Sequence, residues 1–160
     1  VIWDDEPDTL DFEYETLPCA MRRNHSGAWC GYVGIPKEHP LHGVDYGNSA
    51  ECLTMMLESM MDKPMPEKAG FGLMISALGG GFDPTPETVF EVHGGLTWSG
   101  ANWPKEDGHW WYGFDCSHAG DLSPKHDADR AWDSYYVYRD ATYVRAETES
   151  LARQLLLLVA

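Results

Sequence analysis

The stretch from residue 141 onward constrains the fold most. Val144, Leu151, Leu155 and Leu158 recur at helical spacing, Ala152 and Val159 lie beside them, and Asp140 or Thr142 stands where an N-cap belongs. At 1.5 Å per residue such a helix runs roughly 30 Å. A helix with one apolar face is stable only when that face is covered. The rest of the chain consists of short runs with strand character, so the cover it offers is a sheet.

Leu10, Phe12 and Tyr14 alternate with Asp11, Glu13 and Glu15 across residues 10–17, the period of a half-buried strand. The run Ala28-Trp-Cys-Gly-Tyr-Val-Gly-Ile35 reads as a second strand, closed by Pro36. Thr88–Val92 and Leu96–Trp98 flank Gly94-Gly95 in a hairpin-like pattern. His109–Phe114 and Ser134–Tyr138 read as further strands, with an irregular polar stretch from Leu122 to Asp133 between them, and Phe71–Leu78 as a strand or short buried segment beside a turn at Gly79–Gly81. A second helix follows Asn48, read as N-cap with Glu51 as its capping-box partner. It carries Ala50, Leu53, Met56, Leu57, Met60 and Met61 at helical spacing and stops at Lys63-Pro64. The expected fold is a single α+β domain over residues 1–160. An antiparallel sheet carries the long C-terminal helix on one face and the Met-rich helix at its edge.

Charge narrows the class of partner. Against 11 Lys and Arg stand 26 Asp and Glu, a net charge of −15. Such a surface repels nucleic-acid phosphates and anionic lipid and favours cations or a basic protein. No apolar run approaches the ~20 residues of a membrane helix. Val1-Ile2-Trp3-Asp4-Asp5 lacks the basic and apolar regions of a secretory leader. Cys19, Cys30, Cys52 and Cys116 include no C-x-x-C pair, and the expectation is reduced thiols in a cytoplasmic protein. Arg22, Arg23 and His25 form a basic cluster, read first as the counterweight to the seven carboxylates between Asp4 and Glu15 and second as an anion site.

Two segments carry chemistry-bearing residues among glycines: Val92-His-Gly-Gly-Leu-Thr-Trp-Ser-Gly100 and Gly113-Phe-Asp-Cys-Ser-His-Ala-Gly-Asp121. Asp115, His118 and Asp121 recur every third residue. An imidazole with two carboxylates is a donor set for one divalent metal, Zn²⁺, Mn²⁺ or Fe²⁺. His93 adds a fourth ligand or a general base, so His93, His118 and Asp115 are the catalytic candidates for a metal-assisted hydrolysis. Cys116 beside His118 has the residue types of a nucleophilic pair, although neighbouring carboxylates oppose a thiolate. Gly94 and Gly95 allow close approach of a ligand, and Trp98, Trp111 and Tyr32 are candidate walls of an aromatic pocket. The plainer reading of the same residues is turn chemistry, with Asp115 and Asp121 bonding nearby backbone and the tryptophans filling the core.

The blocks Cys30-Gly-Tyr-Val-Gly-Ile-Pro36, Val92-His-Gly-Gly-Leu-Thr97, Gly113-Phe-Asp-Cys-Ser-His-Ala-Gly-Asp121 and the helix from Tyr143 resemble, in that order, a small domain of bacteriophage and prophage proteins. The resemblance marks residues about 50–87 as an insertion. It implies a phage-type accessory protein in a host cytoplasm and directs attention to His93, Asp115, His118 and Asp121. Two functions follow as expectations. One is a pocket for a small polar, nucleotide-like ligand, with hydrolysis as its catalytic form. The other is a non-catalytic acidic inhibitor that sequesters a small molecule or blocks a basic host protein.

Overall fold

The computed structural model describes residues 1–61, 80, 81 and 83–159. Five strands form one sheet: β1 (Thr9–Tyr14), β2 (Leu17–Arg23), β3 (Trp29–Ile35), β4 (Trp98–Gly100) and β5 (Trp110–Asp115). Their order is β1-β2-β3-β5-β4, and every pair is antiparallel. The helices are α1 (Glu51–Ser59), α2 (Pro86–Val89), α3 (Pro124–Asp127) and α4 (Ala141–Leu156), with 3-10 turns at Ile2–Asp4 and Ala128–Arg130. This is the α+β architecture expected, with α4 packed on the sheet.

Alternation sorts the strands into two faces. Cys19 and Met21 of β2, Trp29, Val33 and Ile35 of β3, and Tyr112 and Phe114 of β5 point to the α4 side and meet Val144, Leu151, Ala152 and Leu155. Leu53, Met56, Leu57 and Met60 of the Met-rich segment join the same core, so its stripe is packing surface, while Met55 and Met61 stay exposed. At Gly31 helix α4 lies directly against the strand. A Cβ there would collide with the Thr148 hydroxyl and the Phe114 ring. The opposite face carries Ala20, Cys30, Tyr32 and Trp111 as a second, smaller cluster. The 101–109 loop roofs it: Trp103 stands edge-on to Tyr32 at 6.5 Å, His109 lies 6.0 Å from Trp111, and Lys105 reaches Asp11 at 3.1 Å.

Several expected elements differ. The run 10–17 is a strand followed by a hairpin turn, because Glu15 takes φ +53° and sends the chain back as β2. Helix α1 starts at Glu51 from Ala50, without a side-chain cap. Asn48 is held in a turn on Asp45 instead. Thr88–Val92 is not a strand: Thr85 and Thr88 cap each other and wind Pro86–Val89 into a helical turn. Ser134–Tyr138 contributes a single parallel bridge, Val137 to Asp121. Leu122–Asp133 contains α3 and a 3-10 turn. The segments Lys63-Pro64 and Phe71–Leu78, and with them half of the stretch read as an insertion, lie outside the described residues. Asp140 caps α4 through its side chain, accepting from the Tyr143 amide at 2.8 Å. Among the described residues no helix is long and apolar enough to cross a membrane.

Candidate functional site

The two glycine-flanked segments converge at one end of the sheet. Asp115 closes β5, and the chain then turns through Ser117–Gly120. Gly94 and Gly95 bring His93 back beside that turn with φ of +69° and +81°, locked by the Gly95 amide on the Val92 carbonyl at 2.8 Å. The His118 imidazole fills the space a Cβ on Gly94 would need, so the open side of this glycine holds a ring of the same chain. The His93 and His118 rings end 6.1 Å apart. Asp115, His118 and Asp121, singled out by spacing, and His93 from the other segment are thus brought together.

They form two unlike pairs. Asp121 is the buried one, its side chain 1% exposed. Its carboxylate accepts from His93 Nε2 at 2.8 Å, from Arg139 Nε at 2.9 Å and from the His118 amide at 3.0 Å. A carboxylate only accepts, so the proton of neutral His93 sits on Nε2, and Nδ1 is left to accept from the Tyr143 hydroxyl at 2.8 Å. Burial pushes the Asp121 carboxyl up, but the bonds from His93, Arg139 and the His118 amide outweigh it and hold the group below its ordinary value. Arg139 also lies over the Tyr143 ring at 5.1 Å. The result is a chain of contacts, Tyr143–His93–Asp121–Arg139, tying the first turn of α4 to both loops.

The second pair is open. Asp115 and His118 keep 29% and 35% of their side-chain surfaces exposed. His118 Nε2 lies 3.2 Å from Asp115 Oδ1 without the alignment of a hydrogen bond, and it has no other polar partner among the described residues. Asp115 accepts from the Ser117 amide at 3.0 Å and the Thr97 hydroxyl at 3.2 Å. Ser117 in turn accepts from the Asn24 amide group at 2.9 Å. Thr97, Ser117, Asp115 and His118 make a polar rim around this end of the sheet.

The aromatic residues expected as pocket walls are mostly covered. Trp111 is wholly buried and Tyr32 nearly so, both beneath the 101–109 loop. Trp98 is partly exposed, with its indole N–H on the Trp103 carbonyl at 3.3 Å. Trp110–Tyr112 alternates as expected, but both faces are interior because a loop covers the second one. Cys116 is buried in the main core, where burial first and the Asp121 carboxylate second push its thiol up and oppose a thiolate. The basic cluster is consumed: Arg22 pairs with Asp11 at 2.8 Å, and Arg23 lies 3.5 Å from Glu6 and over the Trp29 ring at 4.4 Å. Glu6 in turn accepts from Trp29, Tyr138 and the Ala141 amide. Three of the seven N-terminal carboxylates, Glu6, Asp8 and Asp11, therefore pair with these two arginines.

Of the three residues expected as ligands of a divalent cation, Asp115 and His118 stand open at the rim, while Asp121 is engaged by a guanidinium. Arg139 already neutralises Asp121, and among the described residues no three His, Cys, Asp or Glu side chains converge as metal ligands. Tyr143 and Arg139 belong to the site without having been selected from the sequence. Tyr143 sits at the third position of a helix whose cap was legible, on the turn facing His93. Compared with family models, curated proteins and solved structures, the chain matches none.

Proposed function

We propose that the sheet end around His118 and Asp115 binds a small polar ligand, and that the chain is a phage-type accessory protein built around this site. The observation that supports it is the pairing itself. Two His–carboxylate pairs stand side by side with their rings 6.1 Å apart, one fully bonded, the other partly exposed with its histidine Nε2 enclosed and unbonded. A polar nitrogen shut away without a partner costs ~1–3 kcal/mol, which a small ring movement onto a ligand would recover. The saturated pair fixes the loop that carries Gly94, and Gly94 seats the His118 ring.

The charge balance favours a neutral or cationic ligand over a phosphorylated one. Arg139 is engaged by Asp121, and Asp115 faces the rim. Its carboxylate repels an anion and accepts from hydroxyl or ammonium groups. In the catalytic form of this reading His118 is the general base, Asp115 orients its ring, and the ligand or a water held at the rim supplies the proton.

The test is ligand-observed NMR with sugars, amino acids, amines, nucleosides and nucleotides as probes, on the native protein, His118→Ala and Asp115→Asn. At least one neutral or cationic probe should bind the native chain and weaken tenfold or more in both variants. Binding that ignores both substitutions, or no binding by any probe, overturns the reading. Elemental analysis of protein purified without chelator runs beside it. Stoichiometric metal lost in His118→Ala would replace this site with a metal centre.

A further inference from the structure

The 127–139 segment shows a second surface of a different kind. It is ordered by its own contacts. Arg130 donates to the Tyr136 hydroxyl at 3.0 Å and lies over that ring at 5.4 Å. Asp133 accepts from the Tyr135 amide at 3.0 Å, and Val137 is bonded on both sides, its amide to Gly120 and its carbonyl to Leu122. Yet this fixed segment turns its largest apolar groups outward: Trp132 is 83% exposed, Tyr135 60% and Val137 42%. An isolated exposed apolar residue is ordinary on a protein surface. Three within six residues of a pinned loop, headed by the most exposed large hydrophobic side chain in the described structure, form a patch that the fold neither covers nor uses.

We infer that Trp132 and Tyr135 form a docking surface for a basic protein, with arginine or lysine side chains of the partner lying against these rings. Tryptophan and tyrosine are the side chains that most often dominate interface energy. Their pre-ordered display lowers the entropy lost on association. The electrostatics select the partner's sign. The protein carries −15 overall, Asp129 and Asp133 flank Trp132, and the nearby cations Arg130 and Arg139 lie against the carboxylates of Asp127, at 3.9 Å, and Asp121, at 2.9 Å. Aromatic faces in an acidic setting attract guanidinium and ammonium groups, and the net field steers a basic partner inward while repelling anionic membranes. This surface is independent of the His118–Asp115 rim.

Selection of random peptides displayed on particles against the native 160-residue chain tests it. Enriched peptides should be rich in arginine or lysine and contain an apolar residue. Synthesised individually, they should bind at least tenfold more weakly to Trp132→Ala and Tyr135→Ala, and more weakly as salt rises. Both substitutions remove exposed atoms, and an unchanged melting temperature shows that the fold survives. Two further substitutions, His118→Ala and Asp115→Asn, should leave peptide binding intact. No enrichment, enrichment of acidic or uncharged peptides, or binding indifferent to both ring substitutions overturns the proposal. So does a native dimer in sedimentation that Trp132→Ala dissolves, since the patch would then serve a second copy of this chain, or binding to zwitterionic vesicles that the same substitution abolishes.

Discussion

The His93–Asp121 and His118–Asp115 pairs use the same two side-chain types, at the same sheet end, with opposite results. Asp121 is enclosed and accepts three donors from three different segments; Asp115 is open and accepts only from its own turn and the neighbouring strand's flank. The difference is a cation. Arg139 reaches Asp121 and stabilises its charge away from water, whereas no Lys or Arg pairs with Asp115 among the described residues. Burial of a carboxylate costs several kcal/mol unless donors compensate, so the compensated one becomes part of the framework and the other stays at the surface. One pair holds the loops in place, and the other stays open at the rim.

Asp121→Asn attacks the framework pair and carries the largest expected effect. It strips the charge from a group on which Arg139 and His93 both depend, and leaving partners of a buried pair uncompensated costs on the order of 3 kcal/mol. Urea unfolding should show the loss in the transition midpoint, with far-UV circular dichroism retained at low denaturant. A change below 1 kcal/mol would mean that the pair is not structural. The sign of its pH dependence follows from the lowered carboxyl. The unfolded chain binds the proton more readily, so this contribution is complete above the ordinary value of 3.8 and is lost as pH falls below it toward the folded value. Asp121→Asn should flatten that acid limb. His39 provides a separate limb at higher pH. Burial lowers it below 6.5, against the Leu155 carbonyl that its Nε2–H meets at 2.8 Å, while its Nδ1 accepts from the Leu41 amide at 3.1 Å. Its contribution is complete above 6.5 and declines as pH drops through that value. Asp121→Asn should leave this second limb untouched.

Gly94→Ala sharpens the comparison at the joint between the pairs. The added Cβ meets a left-handed backbone at φ +69° and the His118 ring together. The backbone alone costs about 1–2 kcal/mol, and displacement of the ring adds to it. Gly94→Ala combined with His118→Ala separates the two, since removing the ring relieves the collision and leaves the backbone cost. A double-mutant cycle should return a coupling of about 1 kcal/mol. Strict additivity would show that His118 is not seated on Gly94.

The elements legible in the sequence were those set by periodicity. The α4 stripe with its Asp140 cap, the alternation of Leu10, Phe12 and Tyr14, and the apolar run of β3 each encode a face, and the sheet delivers those faces. The errors fell where local and tertiary signals compete. Asn48 has the chemistry of a cap, but its backbone is drawn into a turn on Asp45. Glycine at 94 and 95 fits a hairpin, yet the Thr85–Thr88 cap had already made the preceding residues helical. At the site, spacing singled out Asp115, His118 and Asp121, which a strand end followed by a turn keeps close, and the other glycine-flanked segment supplied His93, which the fold brings beside them. Spacing could not divide them into a saturated and an open pair. That division depends on Arg139 and Tyr143, which arrive from a segment 18 or more residues later through the Val137 bridge and the α4 cap. The roofed tryptophan face was hidden for the same reason, since a covering loop has no period to read.

The smallest stability effect belongs to the open pair, and it carries the most information about function. His118→Ala removes a half-exposed ring with an unbonded nitrogen, and Asp115→Asn keeps shape while removing charge. Surface changes of this kind move stability by about 0.5 kcal/mol or less. The two variants should therefore melt with the native protein while Asp121→Asn does not. If His118→Ala instead destabilises by as much as Asp121→Asn, the two pairs are one structural unit, and the rim has no free chemistry to offer a ligand. If the variants stay native-like and lose binding of a neutral or cationic probe, stability and function divide along the same line as the two carboxylates. The cation paired with Asp121 would then be the feature that decides which histidine supports the fold and which one acts.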